Sequence, residues 1–344
     1  MIPAGLIGYG YWGPNLLRNL QASGRFEVKA IADTAPERLA AAQRIAPSAG
    51  SHPDALELID RPDVAAVLIA TPVATHYALA RRAIERGKHV LIEKPMCRSV
   101  QECAELVALA ARRQVTLMVD HTFLFTGAVQ KLRELCAGGA LGRISYYDSL
   151  RVNLGLFQPD VNVLWDLAPH DFSILDHVIG AEPLHVEATG YCHVNSHMPD
   201  IAYVTMHCAG GVIAHFNLSW MSPAKVRRIA IGGDRQMVVW DDLDRETRIR
   251  IYDSGIRVRP EDERFTIIPE YRIGDILSPR IANVEALAGV VRHFANVIER
   301  REQPIMGGEQ GLRVVRMLEA AQAALDASLA RVPDRARRGA DGLL

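Results

Sequence analysis

Residues 5–13 read Gly-Leu-Ile-Gly-Tyr-Gly-Tyr-Trp-Gly, a G-x-G-x-x-G pattern on Gly8, Gly10 and Gly13. An apolar, strand-like run at 4–7 precedes it and a helical pattern at 13–21 follows. That is the strand–turn–helix context in which such a turn binds a dinucleotide. The first glycine permits the tight turn, the second lets the backbone approach a pyrophosphate, and the third lets helix and strand pack closely. The helix start offers free N–H groups and partial positive charge to the phosphates. Tyr11 and Trp12, inside the turn, belong to the same cofactor-binding set.

Outward from the turn, short apolar runs and helical patterns alternate. Strands are expected at 27–32, 64–70, 89–92 and 115–119, and helices at 36–45, 76–86 and 100–112. This alternation implies βαβ units and a doubly wound parallel sheet of the Rossmann kind. After His121 the rhythm changes. Helices at 128–136 and 166–179 are followed by strands at 184–191, 201–208, 212–220, 225–232, 236–240 and 248–252. Successive strands without intervening helices suggest an antiparallel sheet. Amphipathic helices follow at 283–299 and 311–330. The fold class is therefore α/β: a Rossmann domain over 1–122, then an α+β domain over 123–332 with an open, mainly antiparallel sheet for substrate and oligomerisation. A flexible tail is expected over 333–344.

The bulk numbers fit two domains. The chain has 344 residues, 49% of them hydrophobic, enough for sizeable cores. Lys plus Arg number 39 and Asp plus Glu 40, so no charge excess favours nucleic acid or an acidic membrane. No apolar run reaches the roughly 18 residues of a membrane span, and no signal-peptide pattern opens the chain. Cys97, Cys103, Cys136, Cys192 and Cys208 show no CxxC spacing, which suggests a reduced, cytoplasmic protein. His170 and His177 with Asp166 share a helix face, but nothing completes a metal-ligand set and HExxH is absent. No metal is expected.

The residues at strand ends carry the chemistry. Asp33 closes the second strand, twenty residues after Gly13. There it can accept hydrogen bonds from both ribose hydroxyls and repel a 2′-phosphate, favouring NAD over NADP. Arg38 is the counter-argument, and a turn or helix cap is the other reading of Asp33. Thr71-Pro72 ends the third strand, placed to wall the nicotinamide ribose, with His76 after it. Glu93-Lys94-Pro95 follows the fourth strand and aims Lys94 at the same crevice. In Trp165-Asp166-Leu167-Ala168-Pro169-His170, Asp166 and His170 are four apart and share a helix face. A carboxylate and an imidazole there suit acid–base work. Pro169 fits a first helical turn. A helix cap at Asp166 with an interior histidine remains the alternative.

These three motifs in this order resemble the Gfo/Idh/MocA oxidoreductases along nearly the whole chain. The resemblance implies a lysine, Lys94, that stabilises the alkoxide of the reacting hydroxyl. It implies a general acid/base, His170, and a carboxylate, Asp166, that binds substrate and orients the histidine. His121 and Phe123 match a segment between cofactor and substrate. Arg151 and Asn153, on the strand before the catalytic helix, and Lys225, Arg227 and Arg228 are further substrate-binding candidates, the basic group for nucleotide-sugar phosphates. The segments GYGYWGPNLLRN and WDLAPHD resemble family members of nucleotide-sugar pathways that oxidise the 3-hydroxyl of a UDP-N-acetylhexosamine. The resemblance also implies a homodimer or homotetramer built through the second sheet. An inositol or free-sugar dehydrogenase, a deoxysugar ketoreductase and an NAD(H)-sensing protein without catalysis stay open as alternatives.

Overall fold

In the computed structural model, β1 (Ile2–Ile7) runs into the glycine turn and α1 (Gly13–Ala22) leaves it. The residues described are 1–155, 157–158, 160–194, 197–257 and 270–331; the expected tail over 333–344 lies outside them. Strand and helix then alternate through β2 (Phe26–Ala32), α2 (Pro36–Ile45), β3 (Gly50–His52), α3 (Ala55–Ile59) and β4 (Ala66–Ile69). The series continues through α4 (Val73–Glu85), β5 (His89–Glu93), α5 (Val100–Arg113) and β6 (Leu117–Asp120). The six strands form one parallel sheet in the order β3-β2-β1-β4-β5-β6. Ala66 to Ile69 and Leu117 to Asp120 are buried at every position, as strands covered on both faces must be. From β1 the chain winds to β2 and β3, then crosses back to β4. That reversal opens a crevice at the carboxyl ends of β1 and β4, where sheets of this topology take their ligands.

A 3₁₀ turn (Thr122–Phe125) leads to α6 (Gly127–Ala137), β7 (Ile144–Leu154), α7 (Val163–Val178), β8 (Pro183–Tyr191), β9 (Ile201–Cys208), β10 (Ile213–Ser219) and β11 (Met221–Gly233). Next come β12 (Met237–Asp241), β13 (Ile249–Tyr252), β14 (Gly255–Arg257), β15 (Glu270–Arg272), β16 (Ile276–Leu277), α8 (Ala286–Ile298) and α9 (Gly308–Ala330). Among the described residues the second sheet has eight strands in the order β16-β13-β12-β11-β7-β10-β9-β8. It is antiparallel except where β7 pairs with β10. On β9, Ala202, Val204, Met206 and Cys208 are buried while Tyr203 and His207 face out. α7 covers the buried face, with Phe172 edge-on to Phe216 at 4.8 Å.

Two compact units result: Met1–Thr126 with Val284–Glu319, and Gly127–Asn283 with Ala320–Leu344. The spacing predicts a second domain running unbroken from 123 to 332. The structure instead gives Val284–Glu319 to the first unit. The apolar face of α8 is the reason: Phe294 stacks on Phe26 of β2 at 5.9 Å, and Glu285 takes hydrogen bonds from Arg18 and Asn19 of α1.

Candidate active site

Two of the three turn glycines are required by packing. Gly8 has φ +93°, and a Cβ there would lie 2.4 Å from Ala70 O, a conformation and a distance that exclude other residues. A Cβ on Gly13 would lie 2.4 Å from Gly8 O. Gly10 differs: within 4 Å an added Cβ would meet only Arg38 Nη1, at 3.6 Å. The space over Gly10 is left open by the protein, beside the first turn of α1. An open space at a helix start, with an Arg38 guanidinium nitrogen at its edge, fits a pyrophosphate, so the residues present fit a dinucleotide.

Asp33 is buried and already engaged. Its Oδ2 accepts from Tyr9 N at 2.6 Å and its Oδ1 from Ala35 N at 2.9 Å. It thus braces both the glycine turn and the chain entering α2. Each carboxylate oxygen retains a second lone pair, so bracing and ribose binding are compatible. Arg38 lies on α2, yet its Nη1 returns to within 3.8 Å of Asp33 Oδ1. Tyr11 is 88% exposed, whereas Trp12 Nε1 donates to Asp120 Oδ2 at 3.3 Å.

At the ends of β4, β5 and β6 the structure rearranges the expected roles. Thr71 packs its Cγ2 close to Gly8, 3.0 Å from where a Cβ would stand. α4 begins at Val73 rather than at residue 76, with Pro72 at its N-cap. His76 is predicted to face the cofactor; it is instead buried, with Nδ1 3.0 Å from Pro95 O and Nε2 2.8 Å from Thr71 O. Both ring nitrogens face backbone carbonyls, one of which accepts from the N–H of the neutral ring, so His76 joins the loops after β4 and β5. Burial lowers its pKa, and the Lys94 cation adds to the effect. Lys94 is half-buried at the end of β5, behind a cis peptide to Pro95. Glu93, also expected at the cofactor, buries its carboxyl against Asp120. His121 is buried, and its pKa is pushed down to about 3 by burial and then by Lys94. Phe123 lies half-buried in the 3₁₀ turn.

In the second unit, α7 carries Asp166 and His170, both half-buried. The helix starts earlier than the spacing predicts, because Asn162 Oδ1 caps it by accepting from Trp165 N at 3.1 Å. Pro169 therefore falls inside the helix rather than in its first turn, removing the N–H that would meet Trp165 O. Asp166 is not the cap. Its Oδ2 accepts from Trp220 Nε1 at 3.1 Å.

Arg151, expected to bind substrate, is only 3% exposed. Its guanidinium makes a two-pronged pair with Asp171, Nε to Oδ2 at 2.7 Å and Nη2 to Oδ1 at 2.8 Å. A fork used this way, and buried, is not offered to a phosphate. Arg227, its register partner on β11, bonds Asp242 Oδ2 at 2.6 Å. Burial and the nearby Arg151 lower its pKa. Lys225 and Arg228 are exposed, and Asn153 is half-buried.

The first unit thus brings together the glycine turn, Asp33, Thr71, Glu93, Lys94 and His121. The second brings together Asp166, His170 and Trp220. Sequence reasoning passes over Asp120 and Trp220. Asp120 carries a usable signal, an acidic residue closing a parallel strand just as Asp33 does. Trp220 carries none, since a tryptophan ending an apolar run reads as core.

Comparison with known proteins identifies the family. The family model described as an oxidoreductase family with an NAD-binding Rossmann fold matches residues 2–121, and that of the Gfo/Idh/MocA C-terminal domain matches 129–239. The chain is 30% identical over 272 residues to UDP-N-acetylglucosamine 3-dehydrogenase of Acidithiobacillus ferrooxidans, covering 78% of this chain and 81% of that one. A solved structure of that enzyme superposes with TM-score 0.81 at 27% identity, over 96% of this chain and 99% of that one. Myo-inositol 2-dehydrogenase of Thermotoga maritima is 24% identical over 335 residues, 94% of this chain and 96% of that one. A levoglucosan dehydrogenase solved with NADH shares the fold, with TM-score 0.79 at 20% identity over 95% of this chain and 97% of that one.

Proposed function

The chain belongs to the Gfo/Idh/MocA oxidoreductases, which bind NAD on a Rossmann fold, and on that premise we propose that it oxidises a secondary hydroxyl of a sugar, the 3-hydroxyl of a UDP-N-acetylhexosamine. The observation that carries the substrate is the likeness to UDP-N-acetylglucosamine 3-dehydrogenase, which extends in structure over 96% of the chain. Nicotinamide, when bound, supplies the hydride acceptor. Lys94 places an ammonium against the oxygen as its proton leaves and stabilises the negative charge that develops. His170 accepts that proton, since an imidazole can both take and give one. Asp166, held by Trp220, orients the sugar and the histidine. Asp33 sets the preference for NAD over NADP. Two or four copies pair through the outward face of the second sheet, where Tyr203, His207, Ile213 and His215 lie; light scattering at the monomer mass would remove that part.

The test is NADH formation on mixing enzyme and NAD with a panel of UDP-sugars, inositols and free sugars. UDP-N-acetylglucosamine or a close relative is expected to give the highest kcat/KM. An inositol as the sole good substrate would overturn the sugar-nucleotide reading in favour of activity like that of the 24% identical inositol dehydrogenase. Lys94→Ala is expected to abolish turnover, by about a thousandfold or more if charge stabilisation is its role, with NADH binding retained. An active Lys94→Ala enzyme would remove Lys94 from the mechanism.

A further inference from the structure

β5 ends on Glu93 and β6 on Asp120, paired residue to residue across adjacent parallel strands. Both carboxyls are buried and lie against each other. Asp120 Oδ2 accepts from Trp12 Nε1 at 3.3 Å, and Oδ1 accepts from Thr122 Oγ1 at 2.6 Å. Glu93 Oε2 accepts from Lys94 N at 3.2 Å. Glu93 Oε1 is buried and meets no donor. Two buried carboxylates in contact repel each other, and a buried acceptor without a donor costs free energy. One proton on the Glu93 carboxyl removes both difficulties, because Glu93 then donates to Asp120.

We propose that Asp120 is a positioning residue of the dinucleotide site: one carboxylate that fixes Trp12 of the glycine turn and, through Glu93, the segment that carries Lys94. This rests on the NAD-binding reading above and deepens it. Nothing in the proposed chemistry requires an acid at position 120, yet Asp120 is where the turn after β1, the 3₁₀ turn and the end of β5 meet. The proton belongs on Glu93. Burial, then the Asp120 charge, raises the Glu93 pKa well above the ordinary carboxyl value, with Lys94 pulling the other way. Burial also raises Asp120, but Thr122, Glu93 and Trp12 all donate toward it and favour its charged form. The titratable neighbours are Lys94 at the end of β5 and His121 beyond β6, which stays neutral down to about 3. His76 of α4, beside Pro95 O, feels the Lys94 charge. Loss of the Glu93 proton on the alkaline side sets two carboxylates against each other and unfastens the link.

The experiment measures the NADH dissociation constant across pH by NADH fluorescence, with no sugar present. Wild-type affinity is expected to hold through neutrality and fall on the alkaline side. Asp120→Asn is expected to weaken NADH binding at neutral pH by about tenfold, the loss of one hydrogen bond to a charged group, because an amide cannot accept from Trp12 and Thr122 and from Glu93 at once. Glu93→Gln is expected to abolish the alkaline fall, since the amide is neutral throughout. Asp120→Glu is expected to restore part of the affinity. A merely structural role would lower the melting temperature and leave the pH profile in place. The proposal is overturned if Asp120→Asn binds NADH within about twofold of wild type, or if Glu93→Gln keeps the alkaline fall; the second measurement stands even if Asp120→Asn does not fold. A wild-type chain that binds NADH but oxidises no sugar overturns the reaction proposed above and leaves the role of Asp120 intact.

Discussion

Single residues here serve twice. Asp33 accepts two backbone N–H bonds within its own unit, and the lone pairs left over are those that a ribose can use. Asp33→Ala is expected to raise the kcat/KM ratio for NADP against NAD by about tenfold or more, because a negative group facing the 2′-phosphate is removed while Arg38 Nη1, now 3.8 Å from that carboxylate, is released toward the phosphate. Initial rates with both cofactors check it, and an unchanged ratio would leave Asp33 as a brace alone. Whether a side chain faces a ligand or the backbone is what sequence spacing conveys least. The places of Gly8, Gly10, Gly13, Asp33 and Lys94 are legible because each follows from backbone position at a strand end. His76, Glu93 and Arg151 are legible as polar residues in the right places, but their partners Pro95 O, Asp120 and Asp171 come from distant segments that no local pattern names.

Elements show the same division. Those of the first sheet are legible because each strand is a continuous apolar run and each helix has a 3.6-residue period. β3 is not, since Gly50-Ser51-His52 has neither β-branched residues nor alternation and forms only as an edge strand on β2. The apolar stripe of α8 is legible as a buried face, but nothing local tells that Phe26 of β2 covers it. α7 is the element on which the proposed chemistry rests. Its cap at Asn162 fixes where it begins, and that start puts Asp166 and His170 one turn apart. Trp220, at the end of β10, then pins Asp166 from the sheet below. Trp220→Phe keeps the buried ring and deletes the donor. It is expected to lower kcat by about tenfold, as loss of a hydrogen bond to a charged group does, with KM for NAD unchanged and only a small shift in melting temperature. An unaltered kcat would mean that Asp166 needs no positioning by the sheet.

Over the whole molecule, buried histidines govern how stability follows pH. Burial lowers His76, His89, His121 and His177 below their ordinary 6.5, His121 to about 3 and His177 to about 4. The unfolded chain takes up these protons as pH falls through about 6.5, and the folded chain refuses them until lower pH, His177 to about 4 and His121 to about 3. The unfolded state then binds more protons, so stability drops as pH falls through that window and is insensitive to these groups above it. Glu93 and Asp120 act in the opposite sense. Their raised values keep a proton in the folded state that the unfolded chain releases above its ordinary carboxyl range, so the pair contributes stability at low pH that is lost as pH rises. Between about 4.5 and about 6.5 the two effects compete. The carboxyl pair shares one proton, whereas four histidines each refuse one, and the histidines prevail. Lowered surface carboxylates such as Asp60, Asp63 and Asp253 titrate below this window and sit in solvent, so they do not decide it. The melting temperature is therefore expected to fall by several degrees from about pH 7 to about pH 5, on the scale of about 2–4 °C per kcal/mol for larger domains, and to decline again above about pH 7, where the histidines are silent and only the raised Glu93 carboxyl responds. His121→Asn, which removes a histidine held down to about 3, should make the acid slope shallower. A melting temperature that holds or rises toward pH 5 would show that the carboxyl pair, and not the histidines, controls the acid side.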